Sequence, residues 1–475
     1  MSNVKNATQT VGKYRWTIAA LLLFSTTVNY MDRNVIGFLK DYFCSPEGFG
    51  WTSQQFSYLT SIFTLFYAGF TLVAGWIIDK IGTKIGLAAS LILWSITGML
   101  SAFMGKTVVG HSIARSLFGM GEAGNFPASI KAVAEWFPKK ERALATGIFN
   151  SGSNIGAMIC AIFIPFCLAY WANGREFFGT FHGWQMAFLI TGLVGFIWLI
   201  FWGIFYSTPK KMLEKGKITQ AEYDYIHSDH DETPAQEAEE DKAKKVSWGK
   251  MLTYKQTWSF VLGKFMTDGI WWFLLFWLPT YVRQQFGGDS TEITNGLFLW
   301  LEANLNLTAI DVKVMISNFV VFGIAIIGSV YGGSIPLSFM NKGWQTYKAR
   351  MTALLIIAFA PLLLLGTQFA AGFGIVAAIA VISIGGAAHQ AWSANLFTTV
   401  SDMFPKKAVG TVTGIGAAAG GLGGVLVQLL AGYMDGNFET NTAYTVMFAV
   451  CAFAYLIAWV LMKLLVPKHS PITDL

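Results

Sequence analysis

Twelve apolar stretches, most close to the roughly 20 residues needed to cross a bilayer as a helix, follow one another through this 475-residue chain. They cover 14–39, 53–79, 85–105, 108–134, 143–171, 184–207, 253–282, 313–340, 350–368, 371–399, 408–433 and 441–466. Only 13% of the residues are charged and 54% are hydrophobic, whereas soluble domains carry about a quarter charged residues. The pattern predicts an all-α integral membrane protein with the lipid bilayer as its main partner. The first apolar run is too long for a signal-peptide core and has no small-residue cleavage site after it, so it is read as a retained first helix. The four cysteines, Cys44, Cys160, Cys167 and Cys451, have no metal-ligand spacing and predict no disulfide framework.

The net charge of +6 is unevenly spread. Lys80 and Lys84, then Lys139, Lys140 and Arg142, then Lys342, Lys348 and Arg350, then Lys406 and Lys407 fill alternate loops. The loops between them carry Asp41 and Glu47, then Asp289, Glu292, Glu302 and Asp311, then Asp435 and Glu439. By the positive-inside rule the basic loops are cytoplasmic. An even number of spans then puts both termini in the cytoplasm. The basic excess reports topology and gives no reason to invoke nucleic acid.

Three ionisable residues interrupt the apolar runs: Arg33 in the first span, and Arg115 and Glu122 in the fourth. A charge at mid-membrane costs about 2.5–3.5 kcal/mol on insertion scales, so it normally faces a cavity or a partner. Seven residues separate Arg115 from Glu122, two helical turns, with Gly119 between them on the same face. That face is expected to line a polar pathway, which makes the chain a transporter candidate.

The chain also repeats itself. FPKKERALATGIFNSGSNIG from Phe137 aligns with FPKKAVGTVTGIGAAAGGLG from Phe404, an offset of 267 residues. The same offset matches Gly119 with Gly386 and Glu122 with His389, and a looser match pairs Gly75 with Gly332. Repeated halves of six spans build substrate sites at their interface. The expected domains are a six-helix bundle over 1–208, a cytoplasmic linker over 209–250 and a second bundle over 251–475. The linker is densely charged, which argues against a packed core, and a short helix is expected near Thr219–Ile226.

Gly75, Asp79, Lys80, Gly82 and Lys84 between spans two and three resemble the cytoplasmic loop signature of the major facilitator superfamily, and Arg115, Gly119 and Gly121 resemble its second motif. Asn29-Tyr30-Met31-Asp32-Arg33, Gly121-Glu122-Ala123 with Pro127, and Glu135-Trp136-Phe137-Pro138 resemble the anion:cation symporter family within it. Two further segments resemble the hexuronate transporters. One is Asp268-Gly-Ile-Trp271-Trp272-Phe273 followed by Phe276-Trp277-Leu278-Pro279, and the other runs from Ala388 through His389, Trp392 and Asn395 to Phe397. The resemblance covers essentially the whole chain. It implies the major facilitator fold, residence in the inner (plasma) membrane, and proton-coupled uptake of glucuronate, galacturonate or a near relative. No cofactor is implied beyond the proton, and the chain is expected to work as a monomer.

Arg33 is the expected carboxylate binder, because guanidinium holds a carboxylate with two parallel hydrogen bonds; in the family, the matching arginine binds the anion. The alternative is a structural ion pair with Asp32 or Glu122. Glu122 is the expected proton carrier, alternately pairing with and leaving Arg115, since burial favours the neutral acid and a nearby arginine the carboxylate. Asp32 is a second protonatable group, which the resemblance also links to coupling. The C-terminal half is expected to supply neutral donors and rings in place of charges: His389, Gln390, Trp392, Ser393 and Asn395 in span ten, and Trp271 and Trp272 in span seven. Tyr30 and Tyr67 would add hydroxyls, though rings in spans are as often packing residues. His389 is a rival proton site. Asp79 and Lys84 are expected to close a cytoplasmic gate. The competing readings are an aldonate or other organic-anion symporter and, from a different class, a membrane sensor that binds without transporting. No nucleophile–base set, metal site or phosphate loop supports an enzyme.

Overall fold

Gly82, whose φ of 84° suits glycine, turns the chain between its second and third long helices, and similar short turns stack the helices side by side. The structure, a computed structural model, describes residues 11–171, 181–228, 247–288, 300, 303 and 307–472. Its long helices are α1 (Tyr14–Cys44), α2 (Ser53–Ile81), α3 (Thr83–Leu100), α4 (Val108–Glu122, resuming as Asn125–Trp136), α5 (Lys139–Trp171) and α6 (Gly183–Phe205) in the first half. The second half has α7 (Lys255–Phe286), α8 (Ala309–Gly332, resuming as Ser334–Met340), α9 (Thr346–Phe359, prolonged by a 3-10 turn), α10 (Ile375–Met403), α11 (Lys406–Asn437) and α12 (Thr440–Leu465). These are the twelve expected spans, and no strand occurs among the described residues. Ten of them are long and apolar enough to cross a membrane on composition alone. The two that are not, α1 and α4, carry Asp32, Arg33, Arg115 and Glu122.

The halves are built alike. α1 packs on α5 and α6 as α7 packs on α11 and α12, and α2 packs on α4 as α8 packs on α10. The repeat extends to side chains: Thr83 donates a 2.6 Å hydrogen bond to Glu135, and Arg350 pairs with Asp402 at the positions 267 residues later. The expected short helix between the halves is present as Gln220–Ile226, capped by Thr219; residues 229–246 of the linker lie outside the described residues.

Between the halves, α2 and α11 run antiparallel in a regular register. Gln54 meets Gly436, Ser57 meets Gly432, Thr60 bonds Gln428, Thr64 meets Gly424 and Ala68 meets Gly421. One side of each contact is usually a glycine, which lets the helix axes approach closely. Further along, the register breaks. A side chain at Gly75 would touch Pro127 of its own half, and one at Gly414 would find nothing within 4 Å among the described residues. The bundle is therefore shut at the end bearing Ser53 and Asp435 and parted at the end bearing Gly75, Gly414 and the chain termini.

Ion pairs tie the shut end. Lys40 Nζ donates to Asp435 Oδ2 at 2.7 Å, Ser53 donates to the same oxygen at 2.6 Å, and Arg283 bridges Asp41 at 3.0 Å and Asp311 at 2.8 Å. These acids, expected in loops, stand on or beside helix ends; Asp435 and Asp41 lock the halves together, and Asp311 holds Arg283 from within the second half.

Candidate functional site

Arg33 sits in the middle of α1, 2% exposed. Its Nε donates to Glu122 Oε2 at 2.8 Å and its Nη2 to Asn29 Oδ1 at 3.2 Å. Nη1 has no hydrogen-bond partner among the described residues. Four rings surround the guanidinium carbon, with centroids at 4.4 Å (Tyr30), 4.7 Å (Tyr67), 5.0 Å (Trp272) and 5.7 Å (Phe63). Helical spacing makes this cage: Tyr30 lies one turn before Arg33 on α1, and Phe63 and Tyr67 lie one turn apart on α2. Trp272 reaches in from α7, so the cage spans both halves. Each ring over a desolvated cation is worth about 0.5–2 kcal/mol. The result is a guanidinium held in place with one edge left unused.

Glu122 ends the first segment of α4. Gly121 abuts the Trp94 backbone of α3, where any Cβ would collide, and Gly119 does the same against Phe63 of α2. These close approaches, followed by Pro127 in the first turn of the next segment, break the helix expected to run unbroken over 108–134. Glu122 pairs with Arg33 across helices and not with Arg115, which corrects the expected alternation. The physical reason is distance: seven residues on a helix are about 10 Å apart along its axis, and α1 lies nearer. Glu122 Oε1 is buried without a partner among the described residues.

Arg115 instead lies against Phe118 and Phe188, at 4.9 and 5.4 Å. It is within electrostatic reach of Asp32 and Glu122 but forms an ion pair with neither among the described residues. Asp32 stands beside Trp94 and Thr191, inside the first half. One residue of offset on α1 thus sends Arg33 to the interface and Asp32 into the bundle.

In the second half, Trp271 stacks on His389 with centroids 5.2 Å apart and planes 10° apart, and His389 Nδ1 bonds Tyr455 Oη at 2.8 Å. Gln390 is buried and Ser393 half-buried on the same helix. Two expected ligand residues point elsewhere. Trp392 is fully buried, edge-on to Tyr455 of α12, and Asn395 donates to the Gly332 and Ala391 carbonyls at 2.8 Å, tying α10 to α8. The expectation of a second half without charges is also corrected. Lys264 on α7 is buried and pairs with Asp268 at 2.7 Å. The intramembrane-charge rule that singled out Arg33 applies equally to these two and was the signal available for them.

The Major Facilitator Superfamily model matches residues 22–347. The chain belongs to that superfamily. A hexuronate transporter of Escherichia coli is 30% identical over 452 residues, covering 94% of this chain and 94% of its own. A galacturonate transporter of Dickeya chrysanthemi is 34% identical over 289 residues, 60% of this chain and 76% of that one. Among solved structures, a bacterial homologue of the human lysosomal transporter Spinster, inward-facing and unoccupied, aligns with a TM-score of 0.66 at 18% identity, covering 96% of this chain and 98% of its own. Its likeness speaks for the fold alone.

In this major facilitator transporter, a multi-pass membrane protein and not an enzyme, the loop signature sits at the parted end. Asp79 lies in the last turns of α2, and its side chain is outside the described residues. Lys84 Nζ donates to the Gly203 carbonyl of α6 at 3.0 Å, a contact within one half.

Proposed function

We propose that the chain imports a hexuronate, glucuronate or galacturonate, together with a proton. The observation that carries this is Arg33: a caged guanidinium with one free edge, held by a carboxylate whose other oxygen is buried and unpartnered among the described residues. The hexuronate and galacturonate transporters among the relatives support the substrate class. A carboxylate replacing Glu122 on Arg33 would leave Glu122 as a buried uncompensated anion, which costs several kcal/mol. Protonation removes that cost, so substrate binding and proton binding favour each other.

With the basic loops facing the cytoplasm of a cell with this protein in its inner membrane, the parted end opens inward and both termini are cytoplasmic. The cycle starts with the opposite end open. Glu122, with Asp32 and Arg115 behind it, takes a proton and Arg33 takes the carboxylate. The halves, 1–208 and 251–475, then rock about the site as the 209–250 segment connects them. Inside, Glu122 loses its proton and reclaims Arg33, expelling the substrate. Asp79 and Lys84 close the parted end in the outward-facing state. One proton with one monoanion makes transport by the single chain electroneutral.

The test is glucuronate uptake into proteoliposomes with and without an inward proton gradient, for wild type and Glu122→Gln. Accumulation lost in Glu122→Gln while downhill exchange persists is the expected result. Gradient-insensitive uptake by wild type would remove the coupling, and absence of glucuronate uptake would move the assignment to aldonates.

A further inference from the structure

Lys264 and Asp268 are the strongest feature that the scheme above leaves unused. With Trp271 and Trp272 they fall at i, i+4, i+7 and i+8 on α7, one continuous helix face. Trp272 already stands over Arg33, so Asp268 lies about 6 Å and Lys264 about 12 Å further along the axis toward the parted end. Asp268 is within electrostatic reach of Tyr30 on α1 and abuts Gly420 on α11, where a Cβ would collide with it. Lys264 Nζ sits 4.5 Å from the Phe397 ring centroid on α10 and within electrostatic reach of His389. The pair therefore occupies the wall of the cleft, next along from the carboxylate site.

Its chemistry differs from that of Arg33–Glu122. Both partners stand one turn apart on one helix, so no movement between helices separates them. The Asp268 side chain is 18% exposed, against 0% for Glu122, and the Lys264 ammonium at 2.7 Å is what favours its carboxylate form. A fixed Lys–Asp pair is neutral overall and offers a donor beside an acceptor, which is what two neighbouring hydroxyls of a sugar require. A second carboxylate arriving there would meet Asp268 as a like charge.

We propose that Lys264 and Asp268 form the sugar-hydroxyl subsite, reading the end of the substrate remote from its carboxylate, and that Asp268 excludes acids carrying a carboxylate at both ends. This rests on the hexuronate reading above. The test measures counterflow in proteoliposomes for wild type, Lys264→Met and Asp268→Asn, with glucuronate and with glucarate, the six-carbon acid that is a carboxylate at both ends.

Wild type should favour glucuronate by about tenfold or more in kcat/KM, the scale of a single unpaired or repelled polar group. Asp268→Asn should shrink that ratio about tenfold, because Lys264 is then free to take the second carboxylate. The ratio is read within one preparation, so it does not depend on the fraction of folded protein. Lys264→Met should raise the glucuronate KM about tenfold. An unchanged ratio in Asp268→Asn, or a glucuronate KM within twofold of wild type in Lys264→Met, would overturn the subsite while leaving the hexuronate reading intact. Failure of wild type to exchange glucuronate at all would overturn both.

Discussion

The two halves of this transporter carry one buried acid–base contact each at the centre, and the contacts are of different kinds. Arg33 and Glu122 come from α1 and α4, so their 2.8 Å separation depends on how two helices pack. Lys264 and Asp268 are neighbours on one turn of α7, so their 2.7 Å separation is fixed by the helix itself. A contact between helices can be made and broken during a conformational cycle. A contact within a helix persists through it. The first suits coupling and the second suits recognition, and the fully dry surroundings of Glu122 sharpen the contrast.

The largest effect should come from replacing the cation of the movable pair. Arg33→Lys keeps the charge but loses the planar fork, the Asn29 bond and much of the ring contact. A loss of about 2–3 kcal/mol is expected, or roughly 30- to 150-fold in kcat/KM for glucuronate counterflow. The matching change in the fixed pair, Lys264→Arg, should stay within about threefold, because an i,i+4 pair tolerates either cation. Equal losses in both variants would erase the distinction between a coupling pair and a recognition pair.

Much of this architecture was legible in the chain itself. The twelve spans stand out because each must present a long apolar surface, and the repeat stands out because the same Phe-Pro-Lys-Lys turn, at Phe137 and at Phe404, joins α4 to α5 and α10 to α11. Arg33 and Glu122 were legible as individuals, since charges in apolar runs are conspicuous. Their pairing was legible only as one alternative, since the sequence offered both Asp32 and Glu122 to Arg33. Which acid meets which base depends on how α1 lies against α4, and on a helix break signalled only by Gly121, Gly124 and Pro127. The direction of Trp392 and Asn395 was hidden for a similar reason: both lie on the cleft-forming helix α10, but on the side turned to α12 and α8. Lys264 was visible by the same rule as Arg33, and its role depends on sharing a face with Trp272 that only the assembled α7 makes evident.

A smaller effect is expected at the shut end, where ion pairs between halves should hold one conformation. Asp435→Asn leaves the Lys40 ammonium buried without its anion, against Trp277 at 4.7 Å. Opening that end rehydrates Lys40, so the substitution should move the equilibrium toward opening by about 1–2 kcal/mol, roughly 5- to 30-fold in population. Ser57→Cys in a protein lacking its four native cysteines reports it, since Ser57 is buried against Gly432. Its labelling by a membrane-impermeant maleimide should speed up about tenfold when Asp435→Asn is added. An unchanged rate would mean that the glycine register of α2 and α11 holds the end shut unaided.

The smallest effect separates two tryptophans that look equivalent in sequence. Trp272 faces Arg33 across the halves at 5.0 Å, so Trp272→Leu removes one cation–π contact of about 0.5–1.4 kcal/mol and should raise the glucuronate KM roughly two- to tenfold. Trp392 is sealed against Tyr455, and its indole nitrogen is buried without a partner among the described residues. Trp392→Phe therefore sacrifices no hydrogen bond and leaves a small cavity where the indole was, a change that lowers stability without touching the substrate. Its KM should stay within about twofold of wild type even if the yield of folded protein falls. A KM shift in Trp392→Phe as large as that in Trp272→Leu would mean that α10 turns during the cycle and brings Trp392 to the substrate, so that the face it shows in this conformation is only one of two.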